Sequence, residues 1–95
     1  MFDSKDTAIK IETLLNAAFN PTAFEIEDQS HRHKHHRQAG GGGHFYVTIR
    51  SARFNGLAPL ARQRLVLEAV AGMMDKEIHA LSMRCLPEPA TPAAE

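Results

Sequence analysis

HFYVTIRSARFNGLAPLARQRLV, residues 44–66, decides the fold. Its first part alternates: Phe45, Val47 and Ile49 point one way, Tyr46, Thr48 and Arg50 the other. That period of two is a strand with one buried face, predicted over 44–51. Asn55-Gly56 then marks a turn, and Pro59 suits the first position of a helix. The spacing of Leu65, Val66, Ala69, Val70 and Met73 predicts an apolar helical stripe from Pro59 to about Asp75. The segment therefore switches from strand to helix across one turn, with an apolar face on each side of it.

Outward from it, two more strands and one more helix appear. Residues 78–86 read as a strand with Leu81, Met83 and Cys85 on one face. Residues 23–28 alternate, with Phe24 and Ile26 opposite Glu25 and Glu27. Residues 4–19 carry Ile11, Leu14, Leu15, Ala18 and Phe19 at helical spacing. Asp3 or Ser4 can cap this helix and Asn20-Pro21 ends it. The order helix, strand, strand, helix, strand predicts an α+β domain, with helices on one face of a small three-stranded sheet.

Two stretches break every period. QSHRHKHHRQAGGGG, residues 29–43, reads as a long mobile loop joining the first two strands, polar and cationic before four consecutive glycines. PEPATPAAE, residues 87–95, has three prolines and no large apolar side chain, and is expected to be a disordered tail after a domain over 1–86.

The totals bound the function. The 95 residues suffice for one domain, and 43% apolar with 23% charged residues is ordinary for a globular chain. Eleven basic and eleven acidic side chains cancel, without the basic surplus of a dedicated nucleic-acid binder. No apolar run reaches the length of a membrane span, and the start resembles neither a secretory signal nor an Arg-rich leader. Cys85 stands alone, so no internal disulfide forms; this fits a reducing, cytoplasmic setting. No Ser–His–Asp arrangement or His-Glu-x-x-His motif can be placed, so an enzyme is not expected.

The matching pieces AAFNPTAFEIEDQS (17–30), HFYVTIRSARFNGLAPLARQRLV (44–66) and IHALSM (78–83) occur in the order of the BolA family, and the chain resembles that family over roughly residues 8–87. Asp28-Gln29-Ser30 stands where the family shows Asp-Glu-Ser, and Phe54-Asn55-Gly56 matches its Phe-x-Gly. Arg62-Gln63-Arg64 departs from the family's Arg-His-Arg by its middle residue. The resemblance implies a fold like a class II KH domain with a mixed sheet. It further implies partnership with a monothiol glutaredoxin and a shared 2Fe–2S cluster, to which the glutaredoxin and glutathione contribute ligands. On this chain the implied ligands are His79, which opens the His-Ala-Leu motif, and a loop histidine. His33 holds the matching place after Ser30, with His31, His35 and His36 as further candidates. Two ligands from one chain leave such a cluster incomplete, which accounts for the partner.

Each candidate has a plainer alternative. Strict alternation puts His79 on the side of Leu81, Met83 and Cys85, the pattern of a partly buried histidine pinning a strand. The loop HRHKHHR suits a solvated polar loop, a tract taking up adventitious zinc, copper or nickel, or a cluster-ligand loop. His44 is expected to be structural or cluster-adjacent, and Cys85 a small apolar residue. Arg62 and Arg64 oppose the dipole of the helix they open; they read as a solvated face or as contacts to a glutaredoxin, to glutathione or to DNA phosphates. A KH-like DNA-binding regulator is the second reading, against which stand the zero net charge and the lack of a Gly-x-x-Gly clamp. The free chain is expected to be a monomer or weak dimer.

Overall fold

The computed structural model describes residues 3–30 and 42–89. Helix α1 spans Ser4–Phe19, strand β1 Ala23–Asp28, strand β2 Gly43–Arg50, helix α2 Pro59–Ala69 and strand β3 Ile78–Leu86. Single turns of 3₁₀ helix at Ala52–Phe54 and Ala71–Met73 flank α2. The sheet order is β1-β2-β3; β2 runs antiparallel to β1 and parallel to β3. This is the expected α+β, KH-like arrangement with a mixed sheet. Among the described residues, no helix is long and apolar enough to cross a membrane.

Local chemistry explains the boundaries of α1. The Asp3 carboxylate accepts from the Lys5 N–H and caps the helix start. Asn20 ends it in the left-handed region at φ 45, which asparagine tolerates better than most residues. α2 is shorter than expected. It closes at Ala69, Val70 leaves helical geometry at φ −112, and the chain tightens into the turn containing Gly72. The apolar stripe persists because a 3₁₀ turn keeps Met73 on the buried side, so the periodicity outlasts the helix.

The core lies between the helices and one face of the sheet. Ile11, Leu15 and Phe19 from α1, Phe45, Val47 and Ile49 from β2, and Val66 and Val70 from α2 are buried together with Phe54, Met73 and Ile78. β2 alternates without exception between buried and half-buried positions, as expected of a central strand covered on one side. The Phe54 and Phe19 rings lie 5.0 Å apart. Ser51, fully buried, donates its hydroxyl to the Phe19 carbonyl at 2.7 Å and accepts from the Arg53 N–H. It thereby fastens the end of α1 to the turn after β2.

Both irregular stretches are partly ordered. Gln29 N–H donates to the His44 carbonyl at 2.8 Å, prolonging the β1–β2 ladder, and Ser30 N–H donates to the Asp28 carboxylate. Gly42 and Gly43 also belong to the fold, so the expected loop is shorter at both ends; its residues 31–41 lie outside the described residues. At the other end, the Glu88 N–H donates to Asn55 Oδ1 at 2.8 Å and its carboxylate accepts from the Thr22 hydroxyl. The expected tail is thus fastened through at least Glu88, because its polar groups find partners although it has no apolar ones. Residues 90–95 lie outside the described residues.

Two outcomes test this packing. Phe54→Ala removes a fully buried ring and is expected to cost about 3–5 kcal/mol, a large share of a small domain's stability, read as a lowered urea midpoint. Glu77 forms an ion pair with Lys10 of α1, and that bond holds the Glu77 carboxyl below the usual carboxylate range. A lowered folded pKa stabilises fully above the unfolded value and is lost as pH falls through the folded one. Urea midpoints below the ordinary carboxylate range should therefore decline less steeply with acid in Glu77→Gln than in the unaltered chain.

Candidate functional site

β2 and β3 pair in register from His44↔Ala80 to Arg50↔Leu86, but the step before it is Gly43↔Ile78. One residue on β3, His79, has no opposite number. This is a β-bulge, and it reverses the facing of everything before it. Ile78 is therefore buried in the core, Leu81, Met83 and Cys85 pack against that core from half-buried positions, and His79 is exposed. The alternation that put His79 on the side of Leu81, Met83 and Cys85 fails here, because it assumed an uninterrupted strand. The plainer alternative of a partly buried, strand-pinning histidine goes with it.

The residues before His79 hold the bulge in place. Asp75 adopts φ 63, and its N–H donates to the Ile78 carbonyl at 2.9 Å. Gly43 N–H donates to the Glu77 carbonyl at 3.0 Å. A Cβ on Gly42 would stand 2.8 Å from both the His79 nitrogen and the Lys76 carbonyl oxygen, and one on Gly43 would stand 2.6 Å from Ser30 Oγ. The last two glycines of the run serve close backbone approach rather than freedom of path.

Across the ladder stands His44, whose ring centre lies 5.1 Å from that of His79 with the planes inclined by 44°. His44 N–H donates to Ser30 Oγ at 3.1 Å. The site is thus two imidazoles on adjacent strands, at the end of the sheet where the segment 31–41 leaves and returns. Periodicity marked His44 only as a strand opener; its nearness to His79 follows from the parallel register, which no local pattern reveals.

The remaining candidates separate. His31, His33, His35 and His36 lie outside the described residues. Arg62 is half-buried and committed inward: its Nε donates to the Leu57 carbonyl at 2.8 Å and its Nη1 to the Cys85 carbonyl at 3.1 Å. It ties α2 to β3, a role that neither sequence reading anticipated. Arg64 is exposed on α2. Cys85 is six residues beyond His79, about 20 Å along a strand. Burial pushes its thiol up, only partly offset by the Arg62 charge, so it is a poor thiolate donor. Among the described residues, no group of three or more His, Cys, Asp or Glu side chains could hold a metal ion.

The open face of the sheet carries a shallow hollow lined by Glu25, Ile26, Glu27, Tyr46 and Thr48. Two carboxylates make it a poor surface for a phosphate backbone.

A family model described as BolA-like protein matches residues 15–89. The DNA-binding transcriptional regulator BolA of Escherichia coli is 38% identical over 74 residues, covering 78% of this chain and 69% of that one. BolA-like protein 1 of Bos taurus is 38% identical over 74 residues, covering 78% of this chain and 53% of the bovine one, so the chain spans about half the length of that relative. Among solved structures, the BolA domain of SufE1 from Arabidopsis thaliana superposes with a TM-score of 0.77 at 27% identity, covering 100% of both chains. A Bol-like protein from Babesia bovis gives a TM-score of 0.70 at 29% identity, covering 99% of this chain and 94% of that one. The matched span takes in the bulge, the histidine pair, all of α2 and the last turn of α1, and the chain belongs to the BolA family.

Proposed function

We propose that this chain is an adaptor, not an enzyme, that docks on a monothiol glutaredoxin and completes the coordination of a 2Fe–2S cluster held between the two. The observation that carries the reading is His79: an exposed imidazole that a bulge lifts out of the core face, on an edge strand held in parallel register by β2. A core histidine needs no such bulge; a side chain that must meet something outside the protein does.

The donor set suits a shared cluster. Such a cluster takes four ligands, and imidazole replaces thiolate on one iron in known centres. His79 supplies one imidazole and His33 the second. Ser30 bonds to His44 beside the site, and His33 follows it by three residues in the sequence. The glutaredoxin cysteine and glutathione supply the rest. The shared cluster is cargo in iron–sulfur cluster trafficking or the signal in iron sensing. What this chain does is present neutral imidazoles at a fixed position and offer a face to the partner. Arg64, exposed on α2, is the arginine left to meet an acidic group of the partner, whereas Arg62 serves the fold. The partnership belongs in the reducing cytoplasm, where a free thiol such as Cys85 persists.

A second reading rests on one observation, the Escherichia coli relative's designation as a DNA-binding transcriptional regulator. Zero net charge and the acidic sheet hollow weigh against it. It predicts sequence-selective binding to a promoter-length duplex, with affinity falling steeply as salt rises.

Reconstitution with a monothiol glutaredoxin, glutathione, iron and sulfide tests the main reading. A heterodimer is expected whose visible circular dichroism differs from that of the glutaredoxin alone, with the difference lost in folded His79→Ala. If no complex forms, or if His79→Ala leaves the spectrum intact, the adaptor reading fails. Arg64→Ala should weaken the heterodimer by about 1 kcal/mol or less if the contact is at an exposed rim.

A further inference from the structure

We propose that His44 and His79 together seat a single divalent transition-metal ion of the zinc class in the free chain, without a partner. The inference shares His79 with the adaptor reading but does not require it.

The geometry carries it. A zinc–nitrogen bond of about 2.0–2.1 Å, extended to the ring centre and doubled across a tetrahedral angle, puts two ligating imidazoles about 5 Å apart, centre to centre. The rings of His44 and His79 stand 5.1 Å apart and are inclined rather than parallel. This spacing is set by the backbone. His44 sits on the central strand, its N–H held by Ser30 and its carbonyl by Gln29. His79 sits on the bulge against which Gly42 packs without room for a side chain. Two donors preset on paired strands lose little freedom on binding.

Burial does not account for the pair, since His79 is exposed and His44 half-buried. An aromatic contact alone would serve with any ring. Imidazole is the ligand type that suits zinc, copper and nickel, and a site with two protein donors leaves the other positions to water. A metal ion seated there occupies His79. Metal in the free chain and a partner-held cluster are then mutually exclusive at that residue, and the ion must leave before the cluster is shared.

The test is titration of the chain with zinc chloride by calorimetry, in a variant with His31, His33, His35 and His36 changed to Asn so that the loop contributes nothing. One ion per chain is expected. His44→Gln and His79→Gln should each weaken binding by at least the roughly tenfold that loss of a mere supporting group costs. Long-range ¹H–¹⁵N spectra of the unaltered chain, read ring by ring, should show the His44 and His79 imidazole signals shifting together as zinc is added. An aromatic contact only is the conclusion if the loop variant, folded by far-ultraviolet circular dichroism, binds no zinc. The same follows if His44→Gln leaves affinity unchanged, or if the two rings' signals stay still. Lost zinc binding with an intact glutaredoxin heterodimer overturns this inference alone; zinc binding without a heterodimer overturns the adaptor reading alone.

Discussion

The parallel pairing of β3 with β2 is the constraint on which the rest of the molecule depends. From His44↔Ala80 to Arg50↔Leu86 it holds the two strands in one register, and it slips by one residue at Gly43. Because strand side chains alternate with a period of two, that slip decides what faces the core. Below it, Ile78 closes the end of the core; above it, Leu81, Met83 and Cys85 line the core's flank. His79 is the residue left over. Without the slip either Ile78 or the three later residues would face solvent, and the apolar area that holds the helices to the sheet would shrink.

The helices are positioned by that same sheet. Phe45, Val47 and Ile49 form an apolar row on β2 that is buried in one cluster with Ile11, Leu15 and Phe19 of α1 and Val66 of α2. Polar ties then set their angles: Ser51 joins the end of α1 to the turn after β2, and Arg62 joins α2 to the end of β3 through the Cys85 carbonyl. These bonds link segments far apart in sequence, so each helix is fixed at a point that its own amphipathic stripe leaves free to slide.

The histidine pair inherits its rigidity from this framework. His44 rides on the central strand and His79 on the bulge, while the Lys10–Glu77 pair ties the segment before the bulge to α1. Glycine is needed at 42 and 43 because backbone and side chains from Ser30 to His79 leave no space for a Cβ. Two imidazoles held in this way, one exposed and one half-buried, are the observation from which the proposed metal chemistry is argued.

The sequence by itself determined the elements and most of their buried faces, although Leu14, expected on the apolar face of α1, is exposed. The bounds of α1, β1 and β3 coincide with what capping residues and periodicity predict, because those signals are local: a carboxylate at a helix start, an αL asparagine at its end, alternation within six to nine residues. The ordered motifs also carried the family. Only the tertiary structure decided the facing of His79, its pairing with His44, the inward commitment of Arg62 and the early end of α2. The first three depend on contacts between residues distant in the chain, and alternation or helical spacing holds no record of a bulge imposed from the neighbouring strand. The composition of 29–43 suggested a featureless loop, yet its outer residues are ordered, since backbone hydrogen bonds and close glycine packing need no apolar side chains to hold them.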